Sequence, residues 1–146
     1  MSLPSLSDAL VTAAQKAGCR DQSKLRHLLD DASDKRQPMV EAVLDANLVD
    51  EESFFAELAG ILKMPYARED SEPQEGLHNR FPAKLALRHR IYPEHVSAQE
   101  ATLLTYNPFD LSARQAVGQE LRKRVHWQIA PRHRILEALH QGYGVG

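Results

Sequence analysis

Three histidines, His126, His133 and His140, recur every seven residues, and that spacing is the first feature of the chain that could hold a metal. Only His133 and His140 can share one helix. An i,i+7 pair lies two turns apart, roughly 10 Å along the axis, too far for both rings to reach one ion, and no H-E-x-x-H or C-x-x-C accompanies them. They read as solvent-facing histidines beside Arg132 and Arg134, and no metal site is expected. Cys19 and His27 could pair as nucleophile and base, but nothing supplies an oxyanion hole or a third orienting group, so Cys19 reads as a small residue in a turn. The carboxylates Asp30-Asp31 and Asp50-Glu51-Glu52 stand where helix ends and caps want them. No G-x-x-x-x-G-K-[ST] occurs, and Gly142, Gly144 and Gly146 have no Lys after them, so nucleotide hydrolysis through a phosphate loop is excluded. The expectation is a chain with no catalytic residues and no cofactor.

Charge is the more telling pattern. The 146 residues carry 18 Lys+Arg against 20 Asp+Glu, too balanced for a module drawn as a whole onto nucleic acid. The balance hides segregation: Glu41 to Glu75 holds ten Asp/Glu and two Lys/Arg, whereas Ala113 to Gly146 holds six Lys/Arg and two Asp/Glu. Arg122-Lys123-Arg124, Trp127 and Arg132-His133-Arg134 form a basic patch with one aromatic. Such a patch fits a charged protein partner or pairing between subdomains as well as solvated surface. One Cys rules out an intramolecular disulfide, and no apolar run approaches the roughly 20 residues that span a bilayer. A cytoplasmic protein without membrane insertion is expected.

The elements that must position these residues fall into two halves. Arg68 to Arg80 contains one large apolar residue and reads as a linker, giving a helical subdomain over 1–66, a linker over 67–80 and an α/β subdomain over 81–146. In the first half, Ser5 and Asp8 make a capping-box-like start to a helix that Gly18 ends near Ala17. Asp21 can cap a second helix carrying Leu25, Leu28, Leu29 and Ala32. Pro38 suits the start of a third, with Met39, Val40, Val43 and Leu44, and Asn47 can take the left-handed position after it. Asp50 caps a fourth, with Phe54, Phe55, Leu58, Ile61 and Leu62 on its buried face. Sliding the chain by 29 residues superposes Gly18 on Asn47, Leu25 on Phe54 and Leu29 on Leu58. Either the half is two copies of one unit, or amphipathic helices agree by chance.

The second half opens on Pro82 and a helix to about Arg88. Ile91, Tyr92 and Val96 read as a short strand, and Pro93 within it argues for an edge or a bulge. Ala101 to Tyr106 is the best strand in the chain; Asp110 caps a helix with Leu111, Ala113, Val117 and Leu121; Val125, Trp127 and Ile129 alternate as a third strand; Pro131 starts a helix with Ile135, Leu136, Leu139 and Tyr143. The order α-β-β-α-β-α implies an α+β fold with a three-stranded sheet and a right-handed crossover.

Taken together, these residues resemble the N-terminal domain of the assembly ATPases of type II secretion systems and type IV pili. Met39 to Phe54, with Glu57-Leu58-Ala59 and Met64-Pro65-Tyr66, is similar to that family's L-G-x-x-L-V-x-x-G-x-I-x-x-x-x-L-x-x-A-L run and its short strand entry. Phe81 to Pro93 resembles L-P-x-x-x-A-x-x-x-x-v-x-P, and Leu103 to Asp110 and Ala130 to Gly144 resemble the later strand and closing helix. In some members tandem copies of the run, each led by Arg and closed by Gln, bind cyclic di-GMP. Here the second copy puts Pro38 at the Arg, Val40 at the first Gly, Asn47 at the second and Ile61 at the Gln. The first copy keeps Gly18 but puts Ala9, Val11 and Ala32 at the other slots. Of the candidate ligand positions Met39, Val43, Leu44, Asn47, Phe54 and Leu58, the apolar ones survive and the polar determinants do not, which implies the fold without the ligand. In other members the domain docks the motor on an inner-membrane platform protein. The resemblance thus implies a non-catalytic docking module with that partner, its own ATPase domain expected beyond Gly146. The alternatives are a divergent cyclic dinucleotide sensor and the same module fused to another enzyme such as a glycosyltransferase.

Overall fold

A computed structural model describes residues 6–67 and 80–143. The Ser5 start, the linker residues 68–79 and the last two glycines lie outside the described residues. The chain divides into two compact units, Met1–Met64 and Pro65–Gly146.

The first unit holds α1 (Leu6–Lys16), α2 (Gln22–Asp34), α3 (Met39–Asp45) and α4 (Glu51–Leu62). The 29-residue shift carries the end of α1 onto the end of α3 and the start of α2 onto the start of α4. The two turns use the same chemistry. Gly18, at φ 99°, and Asn47, at φ 56°, take the left-handed position, which Gly and Asn adopt with least cost. Three residues later Asp21 accepts a hydrogen bond from the Lys24 backbone N–H at 3.0 Å, and Asp50 accepts one from that of Ser53 at 3.1 Å. Each cap satisfies an otherwise orphaned N–H of the first turn. α1 packs on α4 and α2 on α3, so the first helix of each copy lies against the second helix of the other. Asn47→Val places a β-branched side chain at positive φ and is expected to lower stability by about 1–2 kcal/mol, read by urea unfolding, whereas Asn47→Gly is expected to be neutral or slightly stabilising.

The second unit holds α5 (Ala83–His89), β1 (Tyr92–Val96), β2 (Glu100–Thr105), α6 (Leu111–Glu120), β3 (Arg124–Ile129) and α7 (Arg132–Tyr143). The sheet order is β1-β2-β3, with β1 antiparallel and β3 parallel to the central β2. Pro93 sits on the edge strand beside a register shift between Pro93 and His95, where its missing N–H costs no ladder bond. Asp110 caps α6 by accepting from the Ala113 N–H, and α6 carries the chain back across to β3. Pro65 and Ala67 extend the sheet: the Ile129 N–H donates to the Pro65 carbonyl and the Ala67 N–H to the Ile129 carbonyl. Tyr66, placed by its sequence with the helical half, is therefore bridged to the sheet, and the seam lies between Met64 and Pro65. Leu111 and Leu136 also depart from expectation, being 69% and 40% exposed. Leu111 is out of phase with the buried face of its helix, which runs through Ala113 and Val117, whereas Leu136 borders the stripe of Ile135, Leu139 and Tyr143 and is left partly uncovered at its edge.

α7 is anchored by Tyr143, whose hydroxyl donates to the Phe81 carbonyl at 3.2 Å. Burial, and secondly the neighbouring Tyr92, push its pKa from 10.0 up to about 12. Burial, and secondly Glu94, raise Tyr92 as well. The fold thus favours the neutral phenols. Their contribution is complete below pH 10 and is lost as pH rises from 10 towards 12. The midpoint of urea unfolding is expected to fall across that window, and Tyr143→Phe to flatten the fall while costing about 1 kcal/mol at neutral pH.

Candidate interaction surfaces

The six candidate ligand positions all lie on the α3–α4 hairpin, but they do not share a surface. Val43, Phe54 and Leu58 have no exposure and Leu44 has 6%, whereas Met39 is half-buried and Asn47 exposed at the turn. Val43, Leu44, Phe54 and Leu58, which the family resemblance places at motif positions, belong to the packed interior of the helical unit. Of the motif slots, Ala9, Val11, Ala32 and Val40 are buried, and Pro38 and Gly18 are exposed.

The groups with chemical potential are dispersed. Cys19 is buried in the α1–α2 turn, with its Sγ 3.9 Å from the Asp21 carbonyl, and His27 is exposed on α2. His126 lies on β3, 3.5 Å from the Glu100 carboxylate, while His133 and His140 are exposed on α7. Among the described residues no three His, Cys, Asp or Glu side chains group as metal ligands would.

The basic run flanks β3, on which only Arg124 of its cations lies. Register pairs Ala101 with Val125, Leu103 with Trp127 and Thr105 with Ile129 on one face of the sheet, and Glu100 with Arg124 and Thr102 with His126 on the other. Arg124 lies 3.8 Å from Glu100. Lys123 donates to the Ser97 carbonyl at 2.7 Å, Arg114 lies 5.6 Å from the Trp127 ring centroid, and Arg134 lies 6.0 Å from that of Tyr66. The sequence shows Lys123, Arg124 and Arg134 in one basic patch; the fold gives them separate contacts, and Arg114, outside that patch, joins its Trp127. Lys123 precedes the strand, and Arg114 and Arg134 stand on the helices before and after it.

Three comparisons bear on what these surfaces serve. The MshEN domain family model matches residues 62–146, essentially the sheet unit. A solved structure of MshE with cdg shares 19% identity, covers 96% of this chain and 99% of that one, and superposes with a TM-score of 0.72. The N-terminal domain of XpsE shares 15% identity, covers 97% of this chain and 98% of that one, with a TM-score of 0.75; a second crystal form of it superposes at 0.59. At such identities the likeness concerns the fold, which is the helical unit followed by the α+β unit throughout. No curated protein sequence matches. Because the family model takes in more than half of the sequence and the α5-β1-β2-α6-β3-α7 unit in full, the chain belongs to the MshEN domain family.

Proposed function

We propose that the chain is the non-catalytic N-terminal interaction domain of a type II secretion or type IV pilus assembly ATPase, docking the motor on an inner-membrane platform protein. The observation that carries this reading is the end-to-end likeness to the XpsE N-terminal domain, which extends over both units. Two features support it: segregated charge and, among the described residues, no helix long and apolar enough to cross a membrane, so attachment would run through a partner. Two experiments test it. Reading the frame beyond Gly146 is expected to reveal a Walker A motif, and a different catalytic domain there would favour the fused-enzyme alternative. Mixing the chain with the cytoplasmic part of the platform protein is expected to give one co-eluting species in gel filtration, and independent elution overturns the docking role. A cyclic dinucleotide sensor is the second reading, favoured by the solved structure of MshE with cdg; direct titration separates the two.

A further inference from the structure

Ten Lys and Arg side chains against five Asp and Glu occupy residues 80–146. Seven of the ten are engaged within the fold, among them Arg80 on the Val96 carbonyl, Arg90 on the Tyr106 hydroxyl, and the contacts of Arg114, Lys123, Arg124 and Arg134 described above. Among the described residues, Lys84, Arg88 and Arg122 make no such contact. Two of these three stand one helical turn apart on α5, both exposed, and both line a cleft of about 340 Å³ between α5 and α6. Leu85 and Ala116 give that cleft its apolar strip, and His89, Gln119 and Glu120 are also in its lining.

We propose that this cleft is a docking groove for an acidic amphipathic helix of a partner protein. The identification rests on charge and size. Lys84 and Arg88 at i,i+4 match a pair of carboxylates at i,i+4 on a facing helix, with an aliphatic side chain between them seated on Leu85 and Ala116. α5 spans seven residues, roughly 10 Å of axis, so the groove takes about two turns of such a helix. Its volume stands at the small end for ligand clefts, which run from about 300 to 1,000 Å³, and suits one or two side chains better than a dinucleotide. Glu120, also in the lining, calls for a Lys or Arg on the guest. The inference rests on the docking reading and names the surface and partner chemistry for it.

The test uses the whole chain and the variant Lys84→Glu/Arg88→Glu, with unchanged circular dichroism as the check on folding. Titration with a short helical peptide bearing glutamates at i and i+4 around a leucine is expected to shift the amide resonances of Leu85, Arg88 and Ala116. The double variant is expected to weaken that binding, and binding of the platform protein's cytoplasmic part, at least tenfold. If the platform protein binds wild type and variant alike, the groove proposal falls and the docking reading stands. If the peptide shifts the groove while the platform protein binds neither form, the groove stands and its assignment to that machine falls. Equal shifts from inorganic phosphate or cyclic di-GMP mark a general anion site and overturn the proposal. So does a chain dimer abolished by the double variant.

Discussion

Replacing Phe54 by Ala is expected to lower the unfolding free energy of the chain by about 3–5 kcal/mol. Phe54 has no exposed surface and meets Phe55 edge to face, with ring centroids 5.2 Å apart and an interplanar angle of 74°. Truncation therefore removes a large apolar transfer term, the pair interaction of about 0.5–1.5 kcal/mol, and the contacts around a cavity that rigid helix backbones cannot refill. Against a typical domain stability of about 5–15 kcal/mol this is a large fraction. Leu111→Ala is the internal control: an apolar deletion at a side chain 69% exposed is expected to stay within about 0.5 kcal/mol. Equilibrium urea unfolding of the two variants decides the matter, and a Phe54→Ala loss below about 1 kcal/mol would show that the helical unit repacks freely.

What could be read before the structure follows a physical line. Asp21, Asp50 and Asp110, together with Gly18 and Asn47, announce helix ends because capping is a contact within three residues. Pro93 announces an edge strand because a missing N–H has only local causes. Joining Pro65 and Ala67 to Ile129, by contrast, depends on a partner more than 60 positions away, and nothing near Tyr66 encodes it. Arg36, Lys63 and Arg90 take positive φ without Gly or Asn to mark them; helix termination imposes the conformation there and the residue type does not disclose it. The candidate ligand face shows the converse difficulty, since core and binding site both use aliphatic residues at helical spacing. Only burial separates Val43, Phe54 and Leu58 from a surface. The α5–α6 cleft was illegible for the same reason as the Tyr66 bridge: its walls are almost thirty residues or more apart in the chain.

The largest functional effect is expected in a titration that shows nothing. Calorimetry with cyclic di-GMP is expected to find no binding of micromolar or better affinity, and a measured Kd in that range overturns the reading of these helices as scaffold. In the motif that the family resemblance supplies, an arginine leads each copy, and here those slots hold Ala9 and Pro38. A hydrogen bond to a charged group is worth about 1.5–3 kcal/mol, so losing two removes about 3–6 kcal/mol, or roughly 10²–10⁴ in affinity. The first glycine slot of each copy holds Val11 or Val40, each at most 3% exposed, whose side chains fill space that a close backbone approach would need empty. Restoration is possible at one copy only. Pro38 precedes α3 with an exposed side chain and no cap bond, so Pro38→Arg leaves the fold intact and is expected to raise affinity by no more than about tenfold to a hundredfold. Ala9 is 1% exposed, so an arginine there would bury a charge in a packed interior, and the first copy cannot be rebuilt without unmaking the helix packing that remains of it.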